Sequence, residues 1–207
     1  MSETPVLMAL HSSTEHFGVA VQDPESVADI QRVAVFNDGR GLSNTLITRV
    51  NTILPCERWS ALKGLAVATG PGGFTGTRLS VVMARTLAEQ LNCPLLGVSS
   101  FALMAARLHH RLPADQQGQR FWIARQLSRR GLVAGFYAFD EDDVEEIEAP
   151  HLVIEGRRIS PVVQAAEDVA ADVFRLLELL RQSQTRGQIL TWSSVLPIYP
   201  FSPVGTS

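Results

Sequence analysis

Apolar residues recur along this chain in two rhythms, and the change from one to the other lays out its elements. Val6 to Leu10 is a short apolar run, Phe17 to Val21 alternates about Val19, and Ile30 to Phe36 places Val33 and Val35 around Ala34. Period-two runs of that length predict three strands joined by tight turns. Helical spacing follows: Leu46, Ile47, Val50, Ile53 and Leu54 share a stripe, with Ser43 placed to cap the helix and Pro55 to stop it. Lys63 to Ala68 predicts a buried strand, and a loop from Gly70 to Gly76 leads into a second helical stripe through Leu79, Val82, Met83, Thr86, Leu87 and Leu91. Pro94 to Val98 predicts a further strand, and Ser99 or Ser100 caps a third helix ending near Leu108. Three strands followed by alternating helix and strand predict a mixed sheet with helices packed on its faces.

A polar stretch from Pro113 to Arg120 marks a boundary, dividing the chain into an N-terminal lobe at 1–112 and a smaller α/β lobe at 113–207. In the second lobe Phe121 to Ala124, Leu132 to Phe139 and His151 to Ile154 predict strands, and the acidic run Asp140 to Glu148 predicts a solvated face. Ser160-Pro161 predicts the start of a helix carrying Val162, Val163, Ala166, Val169, Val173, Phe174, Leu177 and Leu180, with proline at its favoured first position. The proline-rich tail from Leu196 predicts extended chain.

Composition narrows the function classes. With 207 residues, 45% of them hydrophobic, the chain can bury a sizeable core. Its formal charge of −3 gives no general attraction for phosphate backbones or anionic membranes, so contact with RNA is expected to be local or supplied by a partner. No apolar run approaches the roughly 20 residues that cross a bilayer. Cys56 and Cys93 are too far apart for a metal knuckle, and nothing upstream of them resembles a secretion signal, so a reducing cytoplasmic location is expected. Of the five histidines, none pair at the i,i+4 spacing that brings two rings to one helix face. His109 and His110 are adjacent, about 100 degrees apart on a helix, which predicts a solvated pair.

The most informative stretch is Gly70-Pro71-Gly72-Gly73-Phe74-Thr75-Gly76-Thr77-Arg78, set between an apolar strand and an amphipathic helix. Four glycines in seven residues allow close backbone approach, and a helix start presents unpaired N–H groups, so the turn suits either an anion or a tightly packed neighbour. It is not a P-loop, because no Gly-Lys-Ser/Thr follows, and it lacks the βαβ setting of a dinucleotide fingerprint. No Gly-x-Ser-x-Gly elbow or Cys/His partnership points to a peptidase. Taken with Ala9-Leu10-His11-Ser12-Ser13-Thr14 before it and Pro94-Leu95-Leu96-Gly97-Val98-Ser99-Ser100 after it, the stretch resembles the signature of the TsaB (YeaZ) family over about residues 6–108. Gly73 stands where that family usually has serine and Ser80 where glycine is common.

The resemblance implies an α/β, actin-like ATPase fold built from ribonuclease-H-like lobes with mixed sheets, the second lobe reduced. It implies a non-catalytic scaffold that binds a TsaD-type threonylcarbamoyltransferase, assisted by a TsaE-type ATPase, in making threonylcarbamoyladenosine beside the tRNA anticodon. The chain would meet tRNA only through the complex. Pairing with TsaD, or with a second copy in a homodimer, is expected through the helices Ser43 to Leu54 and Thr77 to Leu91, with Leu46, Ile47, Val50, Leu79, Val82 and Met83 as candidate interface residues. The turn residues Gly70, Pro71, Gly72, Gly73, Phe74, Thr75, Gly76 and Arg78 would hold the junction of sheet and helix. The alternative role is a nucleotide or phosphate sensor, or a small-molecule enzyme, with weak ATP or ADP binding at that turn; otherwise neither cofactor nor metal is expected. His11 stands where the family commonly keeps an aspartate, and a neutral or cationic imidazole is no oxygen ligand for magnesium. Leu42-Ser43 replaces a His-Ser pair, and Ala124-Arg125 retains only part of an Asp-Ala-Arg strand motif. The basic group Arg120, Arg125, Arg129 and Arg130 predicts a solvated face, with tRNA contact as its alternative.

Overall fold

The computed structural model describes residues 5–25, 31–127, 131–140 and 143–200. Ile30, Arg129 and Arg130, and residues 141–142 of the acidic run, lie outside the described residues. The first sheet is built from β1 (Val6–His11), β2 (Phe17–Gln22), β3 (Gln31–Phe36), β4 (Leu62–Ala68) and β5 (Leu95–Val98), in the order β3-β2-β1-β4-β5. β1, β2 and β3 form an antiparallel meander, and β4 and β5 join β1 in parallel. Helices α1 (Leu42–Ile53) and α2 (Phe74–Leu91) cover one face of this sheet, and α4 (Val169–Thr185) covers the other.

The two faces explain why β1 has no polar alternation. Met8 and Leu10 point into a core completed by Leu46 and Val50 of α1 and Val81, Ala84 and Ala88 of α2. Leu7 and Ala9 point the opposite way, onto Val173, Leu176, Leu177 and Leu180 of α4. A strand covered on both sides buries every side chain, and all six residues of β1 are buried.

The second sheet comprises β6 (Phe121–Leu127), β7 (Gly131–Asp140), β8 (Asp143–Leu152) and β9 (Val162–Gln164), in the order β8-β7-β6-β9. Helix α3 (Ser100–His109) links the two sheets: Leu103 packs in the α4 core, while Phe101, Met104, Ala105 and Leu108 pack against Phe121, Ile123, Val133 and Tyr137. The sequence boundary at 112/113 falls between the sheets, yet α4 returns across it to the first sheet. The tail follows, with the Ile198 N–H donating to the Thr69 carbonyl at 2.7 Å.

Four sequence expectations are corrected. Ser43 does not cap α1, which begins at Leu42 directly from a 3-10 turn at Gly39–Gly41; that continuity leaves no extended cap residue. The Gly70–Gly76 loop ends sooner, because α2 begins at Phe74 and the Thr77 N–H already bonds the Gly73 carbonyl at 3.0 Å. Pro161 opens no helix: the Trp122 N–H donates to its carbonyl at 2.8 Å, Val162–Gln164 pair in parallel with β6, and α4 starts at Val169 behind the capping carboxylate of Asp168. An available strand edge outweighed the local proline signal. Much of the acidic run is likewise a strand, β8, hydrogen-bonded along β7.

Candidate functional site

The glycine turn lies against the turn that follows β1. Gly72 N–H and C=O belong to a backbone so close to Ser13 that a Cβ on Gly72 would fall 2.0 Å from the Ser13 carbonyl oxygen, and one on Gly76 would fall 2.7 Å from that of Ser12. Only glycine permits this approach. Hydroxyls then lock the junction: Ser12 Oγ donates to the Gly76 carbonyl at 2.8 Å and lies 2.6 Å from Ser80 Oγ, while Ser100 Oγ donates to Ser13 Oγ at 2.6 Å. Ser80, where glycine is common in the resembled family, thus has a structural partner in Ser12. Ser99, not Ser100, caps α3, accepting from the Ala102 N–H at 3.0 Å.

Pro71 is buried at this junction, whereas Gly72, Gly73, Phe74 and Thr75 are exposed at the mouth of α2. Arg78 does not reach over the turn. Its guanidinium carbon lies 5.0 Å from the centre of the Phe74 ring, which in turn meets Tyr199 at 5.1 Å. The turn therefore supplies packing and exposed amides, with its arginine directed elsewhere.

Helices α1 and α2 lie side by side, and their candidate interface residues divide by direction. Leu46, Val50 and Met83 are buried in the core beneath the helices, and Leu79 packs against it half-buried. Ile47 and Val82 face outward and are 57% and 59% exposed.

His11, at the end of β1, is 1% exposed, and neither ring nitrogen has a hydrogen-bond partner. Burial, with a smaller contribution from Arg125, lowers its pKa to about 4, so the imidazole is neutral near neutral pH. Among the described residues no three His, Cys, Asp or Glu side chains converge on a metal position. An uncharged, dehydrated imidazole with no converging carboxylates does not fit the magnesium-phosphate chemistry associated with this fold. A cavity of about 350 Å³ lies beside β5, lined by residues such as Thr69, Gly97, Ile189, Val195 and Leu196, with no charged side chain to hold a phosphate.

Two further expectations are corrected here. His109 is not half of a solvated pair: it is 6% exposed, stacks 4.5 Å from Phe139, and its Nε2 accepts the Gly118 N–H at 3.2 Å. The ring plugs the gap between α3 and the second sheet, and burial followed by the neighbouring His110 lowers its pKa. The acidic run is not wholly solvated either. Glu146 turns inward to accept from Tyr137 Oη at 3.2 Å and from Ser99 Oγ, joining β8 to the start of α3, and burial raises its pKa. Sequence reading missed this contact because one inward carboxylate in an acidic run has no local signature. Arg125 of the basic group is held by Glu167 at 2.6 Å.

Comparison with known proteins follows this geometry. A family model described as TsaD, tRNA N6-adenosine threonylcarbamoyltransferase, matches residues 56–117. The tRNA threonylcarbamoyladenosine biosynthesis protein TsaB of Bacillus subtilis is 45% identical over 49 residues, 24% of this chain and 21% of that one. TsaB of Escherichia coli is 27% identical over 143 residues, 59% of each chain. YeaZ from Pseudomonas aeruginosa, a solved structure, superposes with a TM-score of 0.67 at 21% identity, covering 95% of this chain and 100% of that one. The chain is a divergent member of the TsaB (YeaZ) family. A second Pseudomonas aeruginosa structure, described as similar to peptidase YeaZ, gives a TM-score of 0.69 at 20% identity over 96% of this chain. The fold is accordingly the actin-like, ribonuclease-H-like one. The chain spans between about a fifth and three fifths of the length of the curated TsaB relatives it matches. Within the TsaB pattern, the glycine turn, the two flanking helices and the strand before α3 are the parts that coincide with the tightly packed junction. Among the described residues no helix is long and apolar enough to cross a membrane.

Proposed function

We propose that this chain is a non-catalytic scaffold that docks on a TsaD-type threonylcarbamoyltransferase and supports formation of threonylcarbamoyladenosine in tRNA. The observation that carries this is the outward pair Ile47 and Val82 on neighbouring helices whose inner faces already fill a core. Large aliphatic groups left in water on the better-packed face of a fold favour a partner surface. The names of the TsaB relatives supply the pathway, and the match to the TsaD model over 56–117 covers α2 and the glycine turn. A TsaE-type ATPase would act as a third component, with tRNA reached through the assembled complex. The alternative, a nucleotide or phosphate sensor, has less support, because Arg78 stacks on Phe74 and His11 is sealed without charge.

The test uses the full chain and the transferase encoded in the same genome. Calorimetric titration should show binding by the unsubstituted chain and at least about a tenfold weakening for Ile47→Asp/Val82→Asp, with the melting temperature held because both sites are exposed. Reconstituted tRNA modification should fall in parallel. No binding by the unsubstituted chain, or heats on adding ATP or ADP to the chain alone, would reject the scaffold role.

A further inference from the structure

Resting on the docking role proposed above, we infer that the occupant of the α2 face is a protein surface carrying carboxylates on either side of an apolar pocket, and not a second copy of this chain. Phe74, Arg78, Val82 and Arg85 recur at intervals of four, four and three along α2, so they share one stripe of the helix. Two tail aromatics flank that stripe. Arg78 lies on Phe74, itself against Tyr199, and the Arg85 guanidinium carbon is 5.8 Å from the Trp192 ring centre. Stacking holds a guanidinium in place while leaving its N–H edge free to donate, so less freedom is lost when a carboxylate arrives.

Neither arginine meets a carboxylate among the described residues. Helices α1 and α2 together carry Arg49, Arg78 and Arg85 against the single acid Glu89, and Arg49 is already paired with Asp38 at 2.9 Å. A chain of formal charge −3 therefore presents a locally cationic docking face. Val82 sits between the arginines, so the complementary surface needs an apolar seat with acids about 10 Å apart, two helical turns, around it.

The same spacing argues against self-pairing. About a two-fold axis through Val82, two antiparallel α2 helices would set Arg78 of each copy beside Arg85 of the other, placing like charges together twice. RNA phosphates would satisfy the arginines, but they would leave Val82 and Ile47 in contact with charge and water. A protein surface satisfies both kinds of group.

The full chain and its Arg78→Glu/Arg85→Glu variant would be titrated with the same transferase at low and at high salt, with sedimentation of each chain alone and a separate titration with bare tRNA. The expected result is a variant at least about tenfold weaker toward the transferase at low salt, a gap that narrows at high salt, and an unsubstituted chain that sediments as a monomer. If the unsubstituted chain does not bind the transferase, the docking role falls and this inference with it. Equal binding by the two chains overturns the inference alone. So does a salt-insensitive homodimer that Val82→Asp disrupts, or tRNA binding that the double variant loses while transferase binding persists.

Discussion

His11 is the residue whose environment departs furthest from what its neighbours in sequence suggest. It follows an apolar strand and precedes two serines, a setting that reads as a turn, yet it is buried with two unpartnered nitrogens. Its pH consequence has a definite sign. The unfolded chain takes up the proton below pH 6.5, whereas the folded chain resists it until about pH 4, so stability is fully present above 6.5 and is lost as pH falls through that window. The loss approaches roughly 3 kcal/mol if burial is maintained. Urea unfolding at pH 7 and at pH 4.5 should show it, and His11→Asn should flatten the dependence; an unchanged slope in that variant would place the titration elsewhere. Strand periodicity marked the residue as belonging near β1. It could not report burial, because the cover comes from elements far along the chain.

At the scale of elements, the fit between α3 and α4 depends on one ion pair across very unequal exposures. Arg107 of α3 donates to Asp172 of α4 at 2.9 Å, with the aspartate 1% exposed, and to the Ala166 carbonyl at 2.9 Å. Burial raises the Asp172 pKa and the arginine partly offsets this. Removing only the arginine strands a buried carboxylate, so Arg107→Met should cost about 3 kcal/mol by chemical denaturation, while adding Asp172→Asn should recover part of that loss. A double variant no better than the single one would mean packing, not charge, dominates. Helical spacing placed both residues on helices, though the second helix was started eight residues early, at Pro161. The local proline cue was correct about a boundary and wrong about its kind, since only the neighbouring β6 edge makes Val162–Gln164 a strand.

For the whole molecule, α3 contributes to two cores and α4 crosses back from the second half of the chain to the first sheet, so neither sheet is closed without the other's segment. We expect a single cooperative transition in which far-ultraviolet circular dichroism and tryptophan fluorescence coincide, Trp59 and Trp192 reporting the first core and Trp122 the second sheet. Separate transitions would show that the sheets fold independently. The order of strands and helices through residue 108, the glycine turn and the family membership it signals were determined by the sequence itself, because period and turn chemistry are local properties. Tertiary structure alone decided that His11 and His109 are buried, that Glu146 faces inward, and that Ile47 and Val82 remain uncovered while Leu46, Val50 and Met83 do not. Those outcomes depend on which distant surface arrives to exclude water, and no single stretch of chain encodes its own cover.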